Sequence, residues 1–328
     1  MSENKLDAIG IGACNLDTVA FVPKFTEKEE KINASKYVPP KAAGVSLDAL
    51  TMINNLGLKC GFIGKRGDDL LGDNFAAEVE ADDIDISQCM VIPGQYTSLA
   101  WIQVLPNGER CHVIIPMTQS ALLQVTDIED RKDCIANARI CHMELLQNPV
   151  APLLRASEIC KAAGTLVSVD LDIAPRYLYD YKYTTPEELK LLIANTDVLK
   201  ACKNAVEDIS DSDDMHQAAR DIMDLGAKMV VITIGEDGCV IAHRDSNEIK
   251  TFGSPAFPES GIVDTTGAGD AFQGGFIYGL LKGWPLKKAA IIANACGYLK
   301  SCNIGARNMP NHEVVADFLR GKGWSSID

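Results

Sequence analysis

Apolar, β-rich runs alternate with segments whose apolar residues return every three or four positions. That rhythm predicts βα units around a buried, mostly parallel sheet, an α/β fold. The strand candidates are Ala8–Ile11, Cys60–Ile63, Ile140–Met143, Leu166–Val169, Val198–Leu199 and Met229–Ile234. Helical spacing covers Ser46–Leu56, Gly72–Ala81, Val150–Ala163, Pro186–Ala194, Asp213–Leu225 and Ala271–Lys282. Two stretches break the pattern. Thr18–Val38 lacks helical periodicity, and Thr97–Ile115 reads as a hairpin, with Thr97–Leu105 and Arg110–Ile115 joined by Pro106-Asn107-Gly108-Glu109. Both predict an added β-layer, a small lid formed by about residues 15–42 and 95–118 of a single domain spanning 1–328. No linker rich in Gly, Ser or Pro divides the chain, and no internal repeat appears. Ala100, Ile102 and Val104 alternate along the hairpin, which predicts that their face joins two copies in a homodimer while the other face covers a substrate.

Composition narrows the class. The chain has 328 residues, 47% hydrophobic and 23% charged, which suits a globular protein, and its formal charge of −14 opposes nucleic acid or a membrane surface as partner. The eleven cysteines include no Cys-x-x-Cys pair and the five histidines are scattered, so reduced thiols are expected rather than disulfides or a zinc site. The polar start, with no signal-peptide pattern, and the lack of a run of roughly 18 apolar residues predict a cytoplasmic protein. Familiar motifs fail. Gly10-Ile11-Gly12-Ala13-Cys14-Asn15 departs from the dinucleotide fingerprint at its sixth position and suits a tight turn after the first strand. Gly64-Lys65 lacks the P-loop's other residues, which are Lys59 and Arg66 here.

The segment that carries chemistry is Asp264-Thr265-Thr266-Gly267-Ala268-Gly269-Asp270-Ala271-Phe272. Gly267, Ala268 and Gly269 let the backbone turn sharply just before an amphipathic run, so their N–H groups join the unsatisfied donors of a helix N-terminus. Those donors form an anion site effective at contact distance, whereas the diffuse negative charge of the chain is screened over roughly 8 Å. Asp270 beside it has two readings: an ordinary N-cap aspartate, or a general base that accepts a hydroxyl proton during phosphoryl transfer.

This segment closely resembles the C-terminal signature of the PfkB, or ribokinase, family of carbohydrate kinases. Other matches follow in family order: Ala43-Gly44 through Asp48, Phe62-Ile63-Gly64-Lys65-Arg66-Gly67-Asp68-Asp69 with Gly72-Asp73, Asn204-Ala205-Val206-Glu207, and Thr233-Ile234-Gly235-Glu236-Asp237-Gly238. The similarity spans roughly Asp7 to Val315. It implies a three-layer α/β/α ribokinase-like fold with a β-sheet lid, an enzyme that transfers the ATP γ-phosphate to a hydroxyl of a sugar or, as the alternative, of a nucleoside. By the same resemblance Asp270 is the catalytic base and Gly267, Ala268 and Gly269 the anion hole. Asn204 and Glu207 match the Mg²⁺-organising motif, consistent with an ion that keeps several waters; read by themselves they also suit a helix cap. Thr233, Gly235 and Gly238 would line the nucleotide, Asn294 would approach the adenine, and Asp264 and Thr266 resemble the monovalent-cation site, K⁺, of many members.

On the acceptor side the resemblance assigns Asn15, Asp17, Gly44, Asp48 and Glu144 to substrate binding, since a carboxylate accepts two hydrogen bonds from a vicinal diol. Asp17 also suits a turn, and Arg110 either meets an anionic acceptor or is an exposed strand charge. Two departures stand out. Ala43 replaces a glycine, and Asp48 replaces an amide with an acceptor-only carboxylate, which favours a neutral polyol over a sugar acid or sugar phosphate. Phe21, Phe25, Tyr96 and Trp101 are available to stack on a nucleobase. A noncatalytic nucleotide-binding module on the same fold, and an NAD-binding oxidoreductase, are the readings from other classes.

Overall fold

The computed structural model describes residues 5–324 except 108, 247 and 259. Fourteen strands lie among them: β1 (Ala8–Ile11), β2 (Asn15–Phe21), β3 (Lys36–Ala43), β4 (Cys60–Ile63), β5 (Lys65–Gly67), β6 (Met90–Ile92), β7 (Ser98–Val104), β8 (Arg110–Ile115), β9 (Ile140–Glu144), β10 (Leu166–Leu171), β11 (Val198–Cys202), β12 (Met229–Thr233), β13 (Cys239–Asp245) and β14 (Glu248–Ser254). Eight form the central sheet in the order β14-β13-β12-β11-β10-β9-β1-β4. Its pairs from β4 to β12 are parallel, and β13 and β14 close one edge as antiparallel strands. The parallel strands are buried on both faces, as continuous apolar runs require. Val230 and Ile232 pack under the helices Val150–Ala163, Pro186–Ala194 and Met215–Asp224, while Val231 between them packs under Ala268–Leu281 and Leu286–Ser301. Three layers result, with an apolar core on each side of the sheet.

The lid is the second sheet, ordered β3-β2-β7-β8; β7 and β8 lie within the stretch Thr97–Ile115, whereas β2 and β3 overlap Thr18–Val38 and extend beyond both its ends. Its inward face differs from expectation. Asp17 pairs with Ala100, Ala100 with Ile114 and Ile102 with His112, so these residues share one face, and it is the face turned to the main sheet. Ala100 is 3% and Ile102 1% exposed. The face carrying Ala100, Ile102 and Val104 is therefore covered by the chain itself, not offered to a second copy. Alternation tells which residues share a face but not which face turns inward. The outer face instead carries Trp101 opposite an exposed Val113, with Leu99 opposite an exposed Ile115. All eleven cysteines are free thiols, and among the described residues no helix is long and apolar enough to cross a membrane.

Candidate active site

The parallel strands of the central sheet end on one side, where ligands of open α/β sheets bind. Asn15 follows β1, Glu144 ends β9, Asp172 follows β10, Asn204 follows β11 and Gly235 follows β12. Facing these ends, the helix Ala268–Leu281 begins at Gly267, which caps it at φ +78°. Only glycine suits this position: a Cβ there would lie 2.2 Å from the carbonyl oxygen of Ala306. No side chain caps the first turn, although the Ala268 N–H donates to the Thr265 carbonyl oxygen at 3.1 Å. Asp270 is the third residue of that turn and makes no capping bond, which removes its reading as an N-cap.

Asp270 opens onto a crevice of about 240 Å³ between the sheet and the lid. All five residues expected to hold the acceptor line it, namely Asn15, Asp17, Gly44, Asp48 and Glu144, together with Gly267, Gly269 and Thr266. The crevice also contains residues that sequence reasoning did not single out: Gln147, Asp172, His112 and Ile114. None of Phe21, Phe25, Tyr96 and Trp101 is among its lining residues.

Carboxylates dominate its electrostatics. Asp270 is only 8% exposed, and burial, followed by the nearby charge of Asp48, pushes its pKa well above the usual carboxylate range. Asp48, on the helix Val45–Asn55, is 3% exposed, and its Oδ1 has no hydrogen-bond partner. Burial and the charge of Asp17 raise it likewise. Burial pushes Asp17 up to about 7 against a 2.8 Å hydrogen bond from Asn15 Nδ2. A buried acceptor without a donor is costly, so the Asp48 carboxyl is held there at the expense of stability.

Glu144 lines the crevice, but both its oxygens are spent. They accept the N–H groups of Ala13 at 2.6 Å and Ser46 at 2.7 Å, bracing the link after β1 against the start of the helix Val45–Asn55. Gly44, at φ +138°, is required there because a Cβ would meet the Ala13 carbonyl oxygen at 2.8 Å; its neighbour Ala43 is accommodated as the last residue of β3. Arg110 is the exposed strand charge that one of its two readings expected, opening β8, and it also lines the crevice. Its guanidinium donates to Thr266 Oγ1 and lies 4.0 Å from Asp264, tying the lid hairpin to the anion loop.

Two buried lysines back the loop. Lys200, inside β11, pairs with Asp170 at 3.0 Å and Asp172 at 3.4 Å, and its Nζ lies 3.0 Å from where a Cβ on Gly269 would stand. Burial pulls its pKa down, but Asp170, Asp172 and Asp270 more than offset this and keep it charged. In turn its charge opposes the upward shift of Asp270. A lysine within the apolar run Val198-Leu199-Lys200-Ala201 is itself a signal of a buried partner.

The remaining candidates sit apart from the crevice lining. Asn204 lies inside the short helix Lys203–Val206 and Glu207 closes it; both are exposed, and Asn204 caps nothing. Gly238 and Asn294 converge on one loop: the backbone of Gly238 runs against Ser254 and Pro255, and Asn294 Nδ2 lies 3.1–3.2 Å from Ser254 O, Ser254 Oγ and Pro255 O. Asn294 is thus a buried tether of the segment after β14. Thr233 ends β12 and Gly235 opens the turn that follows. No group of three or more His, Cys, Asp or Glu able to hold a metal occurs among the described residues.

A family model described as pfkB family carbohydrate kinase matches residues 5–313. The chain belongs to this family. It is accordingly a phosphotransferase of the carbohydrate-kinase type. The 5-dehydro-2-deoxygluconokinase of Geobacillus kaustophilus is 30% identical over 327 residues, covering 97% of this chain and 94% of that protein. The structure of Arabidopsis thaliana ribokinase complexed with ribose and ATP superposes with a TM-score of 0.82 at 20% identity, over 96% of this chain and 99% of the other. A chain described as ribokinase II from E. coli, in complex with ATP and Mg²⁺, gives 0.82 at 22% identity over the same shares. The three-layer architecture with its separate small sheet is that of the ribokinases.

Proposed function

We propose that this pfkB kinase transfers the γ-phosphate of ATP to a hydroxyl of a neutral sugar held between the lid and the sheet. The observation that carries the reading is the position of Asp270: a buried, uncapped carboxylate in the first turn of a glycine-capped helix, opening onto the crevice that Asp17 and Asp48 share. In this reading Asp17 and Asp48 accept hydrogen bonds from the acceptor's hydroxyls, and Asp270 takes the proton of the attacking one. The N–H groups of Gly267 and Gly269 hold the migrating phosphoryl group beside Ala268, whose own N–H donates to the Thr265 carbonyl oxygen, so the chain supplies positioning and charge stabilisation. Of the crevice's lining residues, only Arg110 and His112 could meet an anionic acceptor with a positive or ring N–H group, and Arg110 donates to Thr266, which favours a neutral acceptor. The absence of Phe, Tyr and Trp from the lining supports a sugar over a nucleoside.

Exposed oxygen donors on Asn204 and Glu207 fit Mg²⁺, a hard cation that keeps part of its water shell. When bound, the ion neutralises phosphate charge. Thr233, Gly235 and Gly238 form the strand-end surface for the nucleotide, and Asn294 acts through the Ser254–Pro255 loop. For a homodimer, the surface we propose is the outer lid face around Trp101, Val113 and Ile115; a Trp101→Glu chain that sediments as the parent does would reject it.

The test of the kinase reading is ATP consumption over pentoses, hexoses, hexonic acids and nucleosides, with Asp270→Asn as control. The expected result is turnover with a neutral sugar and a loss of about 10²–10⁴ in kcat for the variant. Turnover by Asp270→Asn within a few-fold of the parent contradicts the assigned base.

A further inference from the structure

The segment that resembles a monovalent-cation site does not fit a free ion. Asp264 Oδ1 accepts the N–H of Thr266 at 2.9 Å, and Oδ2 accepts that of Gly305 at 2.8 Å. The Asp264 carbonyl oxygen accepts a hydrogen bond from Lys300 Nζ at 3.0 Å, and the same ammonium donates to the carbonyl oxygen of Asn303 at 3.1 Å. Lys300 is fully buried near the end of the helix Leu286–Ser301. From the lid, the Arg110 guanidinium reaches Thr266 Oγ1 and approaches Asp264. The oxygens that a bare cation would need are already held by donors of the chain itself.

An ammonium and a K⁺ ion carry the same charge, and both are satisfied by carbonyl oxygens. They differ in that the ammonium is tethered: its desolvation is met once, on folding, and no binding equilibrium remains. A second cation admitted to the same oxygens would face Lys300 at close range in a poorly hydrated site, where like-charge repulsion is strong.

We infer that Lys300 stands in for a monovalent cation: its ammonium ties Asp264 to Asn303 behind the anion-binding loop, and this kinase works without K⁺. The activity arm of the test rests on the kinase reading above; the melting arm does not. The bland alternative is a lysine that merely satisfies carbonyls at a helix C-terminus, and such a lysine gives no reason for K⁺ to replace it.

The experiment compares the parent and Lys300→Ala in KCl and in choline chloride at equal ionic strength, by thermal melting and by ATP turnover with D-ribose and D-fructose as probe acceptors. The parent is expected to give the same Tm and the same turnover, within about twofold, in both salts. Lys300→Ala is expected to melt lower, to be raised in Tm by KCl but not by choline, and to regain turnover about tenfold in KCl. A parent activated several-fold or stabilised by KCl overturns the inference, as does a folded Lys300→Ala on which KCl acts no differently from choline. Should Lys300→Ala fail to fold in either salt, the parent decides: indifference to K⁺ supports the inference and K⁺ activation overturns it. If the parent turns over neither sugar, the kinase reading is what that arm weakens, while the melts still report on the cation.

Discussion

On one side of the anion loop, Asp48 and Asp270 are almost wholly buried and Asp17 and Asp172 complete an acidic crevice; on the other, Asn204, Glu207 and Gly235 stand exposed on short turns after β11 and β12. The acceptor half is assembled before a ligand arrives, and its cost is visible in carboxylates pushed up by burial and by one another. The nucleotide half stands instead on exposed turns. Electrostatics should therefore control catalysis and stability through the acceptor half, and only donor affinity through the other.

Lys200→Met tests this with the largest effect. The charged groups around Asp270 are Asp48 on the helix Val45–Asn55, Asp170 and Asp172 at the end of β10, Lys200 on β11 and Lys300 on the helix Leu286–Ser301, with Asp17, Glu144, Arg110 and His112 around the crevice. Among them Lys200 is the leading influence that lowers the Asp270 pKa. Its removal moves that pKa further up, so the acid limb of kcat shifts to higher pH by about one unit and turnover on that limb falls about tenfold. Lys200→Arg should keep most of the limb's position. A limb that stays put while Tm drops means the lysine only holds the fold together. Glu207→Gln probes the other half: KM for MgATP should rise by about tenfold, while kcat at saturation, its pH profile and Tm stay close to the parent's. An acid limb displaced by Glu207→Gln would erase the contrast between the halves.

The parts of the site that were legible in the sequence are those whose residues are neighbours along the chain. Gly267 through Asp270 turn, open a helix and present an acid within four residues, so their chemistry survives reading in one dimension. Asn15, Asp17, Gly44 and Asp48 were legible only through the family's pattern, because strand ends and a helix start far apart in sequence bring them together. The alternating hairpin predicted a lid but gave it the wrong inner face, since pairing with Asp17 across β2 and β7 decides that. The partners of Lys200 and Lys300 lie about 30 residues upstream or on loop carbonyls, and no local pattern names them. Glu144, expected to touch the acceptor, lines the crevice and also accepts two backbone N–H groups, a bracing role that only packing reveals.

The smallest effect sharpens the contrast as a conflict between stability and function. Asp17 and Asp170 titrate near 7 and Glu144 near 8 in the folded chain, and Asp48 is raised as well, all above the roughly 4 of an unfolded carboxyl. Between those values the native state binds more protons than the unfolded one, so the contribution of these groups to the ligand-free protein is full at and below about pH 4 and is lost as pH rises toward 8. Asp48→Asn deletes one buried like charge and its unpartnered oxygen. Differential scanning at pH 8 should show the variant gaining about 1–2 kcal/mol, or roughly 2–4 °C in Tm, and the gain should shrink as pH falls, because the raised Asp48 carboxyl takes up a proton more readily than an unfolded one. The same variant should raise KM for the sugar, because an amide returns one donor where the parent offers only acceptors. A Tm at pH 8 equal to or below the parent's would mean that Asp48 is not held at a cost, and that the acidic crevice is no more strained than the open nucleotide side.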